Sequence, residues 1–187
     1  VRDRDVRDVL YAQLWVEHRG ADTLVLDELD LCGSARVDVA VVNGALSGFE
    51  IKSARDTLRR LPGQVDVYSE VLDFVTLVAA ERHADEVEHL VPPWWSLCVA
   101  SEVDGTVQLE EVRPAEVNPN PQASSIVQLL WRDEALAALQ ERGLDRGVRS
   151  RPRQVLWDRL VSELPLGEIQ MIVREALKRR TAWRGRP

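Results

Sequence analysis

Asp38, Glu50 and Lys52 are the residues of this 187-residue chain whose types and spacing could do chemistry. Asp38 sits in the apolar run RVDVAVV (36–42), where burying a lone carboxylate is costly unless something compensates it. Glu50 and Lys52 lie on one face of a second run, GFEIKS (48–53). Whether Asp38 joins them depends on the turn between the runs. A two-residue Asn43-Gly44 turn pairs Val42 with Ala45, sets Asp38 opposite Phe49 and sends Glu50 to the other face. A three-residue connection, Asn43-Gly44-Ala45, pairs Val42 with Leu46 and brings Asp38 across from Glu50, with β-carbons about 5 Å apart. Hydrophobicity does not choose between these registers, so a joint site requires the wider turn.

Two carboxylates at that distance suit a divalent cation. With the backbone carbonyl of Ile51 they offer hard oxygen ligands for Mg²⁺ or Mn²⁺. Glu28 on a preceding strand is the favoured third acid, and Glu17 on the first helix is the other candidate. A bound ion would polarise a phosphoryl group and activate a water, which Lys52 would orient or whose charge it would offset. The pattern Glu-x-Lys is common on strands, and alone it says little.

The elements that must position these residues follow from periodicity. Residues 6–19 read as an amphipathic helix, then strands at 23–29, 34–42 and 46–53 form a meander. A helix from about Asp56 to Val71 follows, with Asp56 as its N-cap and Pro62 marking a helical start. Strands at 74–80 and 94–101, a short helix at 84–91 and an Asp104-Gly105 hairpin complete the part up to residue 113. Three prolines in PAEVNPNPQ (114–122) read as a linker, and 123–187 reads as all-helical, with Trp131 and Trp157 on apolar faces. The domain expectation is therefore 1–113, a linker at 114–122, and a helical domain at 123–187. Trp94-Trp95 reads as a core position at a strand start.

Asp38, then Glu50-Ile51-Lys52, then Gln64 and Tyr68 (QVDVY), resembles the PD-(D/E)XK nuclease superfamily, with the Q-x-x-x-Y element of RecB-like and Cas4-like relatives. An uncharacterised bacterial and phage family within it is similar over nearly the whole chain. The proline before the motif aspartate is replaced by Val37. The resemblance implies an α/β restriction-endonuclease-like fold, a mixed sheet flanked by helices, with the small all-helical region following. It implies that Asp38 and Glu50 hold Mg²⁺, that Lys52 assists the attacking water, and that Gln64 and Tyr68 contact substrate or brace the site. The activity expected is metal-dependent phosphodiester hydrolysis in nucleic acid, with DNA favoured, in repair or defence. The competing reading is a non-catalytic nucleic-acid-binding or complex-assembly module on the same fold.

Charge is divided unevenly. Residues 1–118 hold 11 Lys+Arg and 23 Asp+Glu, net −12, whereas 119–187 hold 13 and 8, net +5. A polyanion needs only a local basic patch. Arg55, Arg59 and Arg60 beside the Glu50 strand offer one, and Arg146, Arg149, Arg151 and Arg153 in the loop 144–154 offer another; a solvated surface is the alternative for both. Cys32 and Cys98 are isolated, which argues against disulfides and thiolate zinc sites. No apolar run approaches membrane length, so no membrane association and a cytoplasmic location are expected. A homodimer or a protein partner stays open.

Overall fold

Asn43, Gly44 and Ala45 make the wider, three-residue turn, with Val42 paired to Leu46 and Val39 to Phe49. Asn43 closes it twice: its N–H donates to the Ala45 carbonyl at 3.0 Å, and its Oδ1 accepts from the Ala45 N–H at 2.9 Å. The register that aligns Asp38 with Glu50 is therefore the one adopted.

The computed structural model describes residues 2–17 and 22–180. The strands are β1 (Leu24–Leu31), β2 (Ala35–Val42), β3 (Leu46–Lys52), β4 (Phe74–Ala80), β5 (Ser96–Val103) and β6 (Thr106–Arg113). They form one sheet in sequence order, antiparallel from β1 to β3, parallel from β3 to β5, and antiparallel again at β6. The two parallel joins require crossovers. Helix α2 (Leu61–Val71) makes the first and α3 (Ala84–Leu90) the second. Helix α1 (Asp3–Glu17) covers the opposite face through Val6, Leu10 and Leu14, which pack on Val39, Val41 and Ile51. The expected mixed sheet with flanking helices is thus present; nothing in it is particular to the restriction-endonuclease-like fold.

The helix expected from Asp56 begins later. A 3-10 turn covers Leu58–Arg60, and α2 starts at Leu61 with Pro62 in its first turn, where a missing N–H costs nothing. Asp56 caps no helix: its Oδ2 accepts from the N–H and hydroxyl of Ser53 at 2.8 and 2.6 Å, closing the turn that leaves β3. Gly48 lets α2 sit close, since a Cβ there would overlap Leu72 and crowd Val37.

Near Asp38 the sheet reverses the faces of its side chains. In β2 the larger core takes Ala40 and Val42, then Val37; in β1 it takes Leu26, then Leu29 and Leu31. Even positions give way to odd ones in both strands. Glu28, at the switch in β1, has φ of 54°, a left-handed conformation that non-glycine residues seldom adopt. Its pair across the ladder would be Asp38, and that pair is missing from the ladder.

Residues 114–122 are fastened to the sheet side. Asn118 donates through Nδ2 to the carbonyls of Ser69 and Leu72 at 2.7 and 2.8 Å, and its N–H donates to the Asp73 carbonyl. Beyond them lie α4 (Ala123–Ile126), α5 (Arg132–Glu141), α6 (Arg153–Glu163) and α7 (Leu166–Arg179). Ile126, Leu139, Leu160 and Leu177 from these helices join Leu61, Leu72 and Leu77 in one continuous core. Trp157 is buried, as are Trp94 and Trp95 at the approach to β5. Trp131 departs from expectation: it is 53% exposed rather than core. No described helix is long and apolar enough to cross a membrane.

Candidate functional site

The parallel join of β3 to β4 places Glu50 and Lys52 under the start of α2. One helical turn apart on α2, Gln64 and Tyr68 reach the same carboxylate. Lys52 Nζ donates to Glu50 Oε1 at 2.5 Å and to Gln64 Oε1 at 2.9 Å. Gln64 Nε2 donates to Glu50 Oε1 at 2.7 Å, and the Tyr68 hydroxyl donates to Oε2 at 2.6 Å. Glu50 and Lys52 are each 3% exposed, so their charges face one another in a low-dielectric setting. Burial raises the pKa of Glu50 first and the nearby Asp38 charge adds to this, against the pull of Lys52 and the hydrogen bond from Tyr68. Burial and Glu50 likewise push the Tyr68 hydroxyl far above its ordinary value, which keeps it a donor. Behind it, Trp95 stacks on the Tyr68 ring at 5.9 Å.

Asp38 is held from the other side. Arg7 Nη2, from α1, donates to its Oδ1 at 2.8 Å, and the Ile51 N–H donates to Oδ2 at 2.8 Å. Arg7 is itself held by Asp3, one turn back on the helix. Sequence reasoning missed Arg7. The Asp3–Arg7 spacing shows a helical ion pair, but nothing local indicates a contact to a residue 31 positions away.

Asp38 and Glu50 border one polar pocket of about 480 Å³, lined also by Ser34, Arg36, Arg59, Arg60, Gly63 and Gln64. Arg36 was also missed; it is 61% exposed at the pocket and pairs with Glu28 at 3.4 Å. Arg59 and Arg60 are exposed and make no ion pair among the described residues. Arg55 is exposed but does not line the pocket, and neither do the loop arginines. In that loop Arg149 pairs with Asp145, Arg153 lies 4.4 Å over the Trp157 ring, and Arg146 and Arg151 are exposed.

The expected metal centre is overturned. Both oxygens of Glu50 and both of Asp38 are already taken by donors from the protein, and Ile51 turns its N–H, not its carbonyl, to Asp38. Glu28 is committed to Arg36 at the surface. Glu17 is exposed and lines a different groove, with Phe49 and Phe74 on the α1 side of the sheet. Among the described residues no group of three or more His, Cys, Asp and Glu side chains is placed to hold a metal ion. Mg²⁺ or Mn²⁺ as cofactor is therefore withdrawn, along with metal-dependent hydrolysis by Asp38, Glu50 and Lys52. What remains is a neutralised acid–amine pair beneath an arginine rim.

Comparison with known proteins points the same way. The family model for bacteriophage P4 protein cII matches residues 6–184. Protein cII of Enterobacteria phage P4 is 34% identical over 92 residues, which cover 49% of this chain and 35% of that protein; the match spans about a third of the relative's length. The SPO1766 protein of unknown function from Silicibacter pomeroyi is 20% identical, covering 76% of this chain and 90% of its own, with a TM-score of 0.43. The family match overturns the expected membership in the PD-(D/E)XK superfamily, and the readings as nuclease and hydrolase fall with it.

Proposed function

We propose that the chain, which belongs to the bacteriophage P4 protein cII family, is a non-catalytic nucleic-acid-binding module that takes DNA through its phosphates. One observation carries this reading: Arg36, Arg59 and Arg60 line a single pocket whose two carboxylates are already bonded to Lys52 and Arg7. With Glu50 bonded to Lys52 and Asp38 to Arg7, Arg59 and Arg60 are left to face solvent, while Arg36 is shared with Glu28. The first turn of α2 adds to them, because Gly63 and Gln64 line the same pocket and a helix N-terminus favours anions.

Such a patch answers the objection from the overall charge of −7, since phosphate contacts depend on local field rather than on the total. Arg55 next to the pocket and Arg146, Arg149, Arg151 and Arg153 in the second basic loop would extend the contact along a backbone. Phosphate contacts set position and orientation without reading bases. Gln64 and Tyr68 serve as braces in this reading: they hold Glu50 so that it does not repel the ligand.

The test is fluorescence anisotropy with labelled duplex DNA, with single-stranded DNA and RNA as parallel arms, in Mg²⁺ and in EDTA. Binding is expected in both, without cleavage. Arg59→Glu with Arg60→Glu should weaken binding at least about tenfold, and the slope of log affinity against log salt should fall by about two. Unchanged affinity in that variant would overturn the reading. So would Mg²⁺-dependent cleavage abolished by Glu50→Ala, which would restore catalysis to the site.

A further inference from the structure

We infer that the groove between α1 and the open half of the sheet takes a helix of a partner protein, one with an apolar stripe flanked by Lys or Arg. No arginine of the first pocket lines this groove, and its case does not depend on the nucleic-acid reading.

The α1 face of the sheet is only half covered by the described residues. Ile51, Val78 and Ala100, on the three neighbouring strands β3, β4 and β5, are buried with Val6, Leu10 and Leu14 of α1. Two positions earlier on the same strands, and so on the same face, Phe49, Thr76 and Cys98 are only half-buried. With Phe74 they floor an open volume of about 710 Å³ that runs beside α1.

The wall of that volume is a second stripe on α1. Val9, Ala12 and Val16 line it, at the spacing that keeps residues on one side of a helix for about two turns. This stripe is separate from the Val6, Leu10 and Leu14 stripe that faces the core. Ala12 is exposed and Val16 is 60% exposed, so the described residues leave the stripe uncovered. A small residue amid such a stripe lets a second helix lie alongside, at an axial distance of about 8–10 Å. A helix in that place would complete the layer that α1 begins.

Charge sets the chemistry of the occupant. Glu17 and Glu111 line the groove, are exposed, and form no ion pair among the described residues. No Lys, Arg or His is among the described residues that line it. Burial first, then Glu111 and Glu17, push the Cys98 thiol up to about 11, so both carboxylates bear on the floor. Residues 1–118 add a net charge of −12 around the site. Such a field repels a phosphate backbone and attracts basic flanks on an apolar helix, which is the helix-in-groove mode of recognition.

Fluorescence anisotropy of the full chain with a labelled peptide of about 18 residues tests this. The probe contains Leu and Lys, with Leu at helical spacing. One control peptide carries Glu for every Lys, and another has the same Leu and Lys rearranged to leave no apolar face. The probe should bind at least about tenfold tighter than either control. Ala12→Trp, which fills the groove from an exposed position, should weaken the probe at least about tenfold. Glu17→Lys with Glu111→Lys should do the same and should improve binding of the Glu peptide. Asp85→Lys with Glu88→Lys, the same change of charge at exposed positions of α3, should leave affinity within about threefold of wild type. Circular dichroism checks that each variant is folded. No binding of the probe, equal binding of the rearranged peptide, indifference to Ala12→Trp, or an equal loss in the α3 variant would each overturn the proposal. Self-association of the wild type that Ala12→Trp abolishes would put a second copy in the groove and would overturn it too.

Discussion

The Tyr68 hydroxyl donates to Oε2 of Glu50 at 2.6 Å and also lies 2.8 Å from the Arg36 carbonyl, so one buried phenol ties α2 to two strands. With Lys52 and Gln64 on Oε1, it makes the carboxylate fully satisfied. The arrangement resembles a catalytic cluster in residue types, yet its geometry is that of a structural lock. A lock and a reactive site differ in what their removal does.

Removing Lys52 tests the lock. Lys52→Met leaves Glu50 buried and unpaired, and losing one partner of a buried pair costs about 3–5 kcal/mol. Tyr68→Phe removes one donor from a buried carboxylate and should cost about 1–3 kcal/mol. Urea denaturation measures both. The double variant Glu50→Gln with Lys52→Met should recover part of the loss, because no uncompensated charge remains. If Lys52→Met unfolds at the same urea concentration as wild type, Glu50 is not buried as described.

The pH dependence of stability should carry the mark of Glu50. Burial first, then the Asp38 charge, raises its pKa in the folded chain above the ordinary 4.5. An acid of this kind binds its proton more readily when folded. Its contribution to stability is therefore fullest below about pH 4.5 and diminishes as pH rises through the folded value. Relative to Glu50→Gln, the wild type should lose unfolding free energy on going from about pH 4 upward. A difference between the two that stays flat, or that rises with pH, would contradict the raised value.

Much of this was legible in the sequence, for identifiable reasons. Alternating apolar runs bounded by Asn43-Gly44 and Asp104-Gly105 mark the strands, because side chains alternate faces along a strand. Glu50, Lys52, Gln64 and Tyr68 meet because spacings of two on a strand and four on a helix each return to the same side. What could not be read was who else would claim the carboxylates. Arg7 reaches Asp38 across 31 residues and from the opposite layer, and the reversal of faces at Glu28 has no local signature. The acids therefore look like free ligands in the sequence and are occupied in the fold. Trp131 misleads for another reason: it is not within the helix but caps the start of α5 in an extended conformation, with Arg180 over its ring, and stays 53% exposed.

Asp73 carries the remaining prediction, because it joins the C-terminal helices to the sheet. Its Oδ2 accepts from the Leu46 N–H at 2.7 Å, at the mouth of β3, and its Oδ1 accepts from Gln170 Nε2 of α7 at 2.7 Å. Arg174 of the same helix adds a contact of 3.3 Å. Asp73 is 8% exposed, so truncation leaves buried donors on both sides without a partner. Asp73→Ala should cost about 2–5 kcal/mol, from several bonds to a charged group lost together. Since the helices and the sheet share one core, the loss should appear as a single unfolding transition at lower urea. Tryptophan fluorescence reports mainly on buried Trp94, Trp95 and Trp157, from both sides of the join, and far-ultraviolet circular dichroism reports on the backbone. Coincident curves from the two probes are the expected result. Two separated transitions in the wild type would show instead that the helices fold apart from the sheet and that Asp73 is only a local contact.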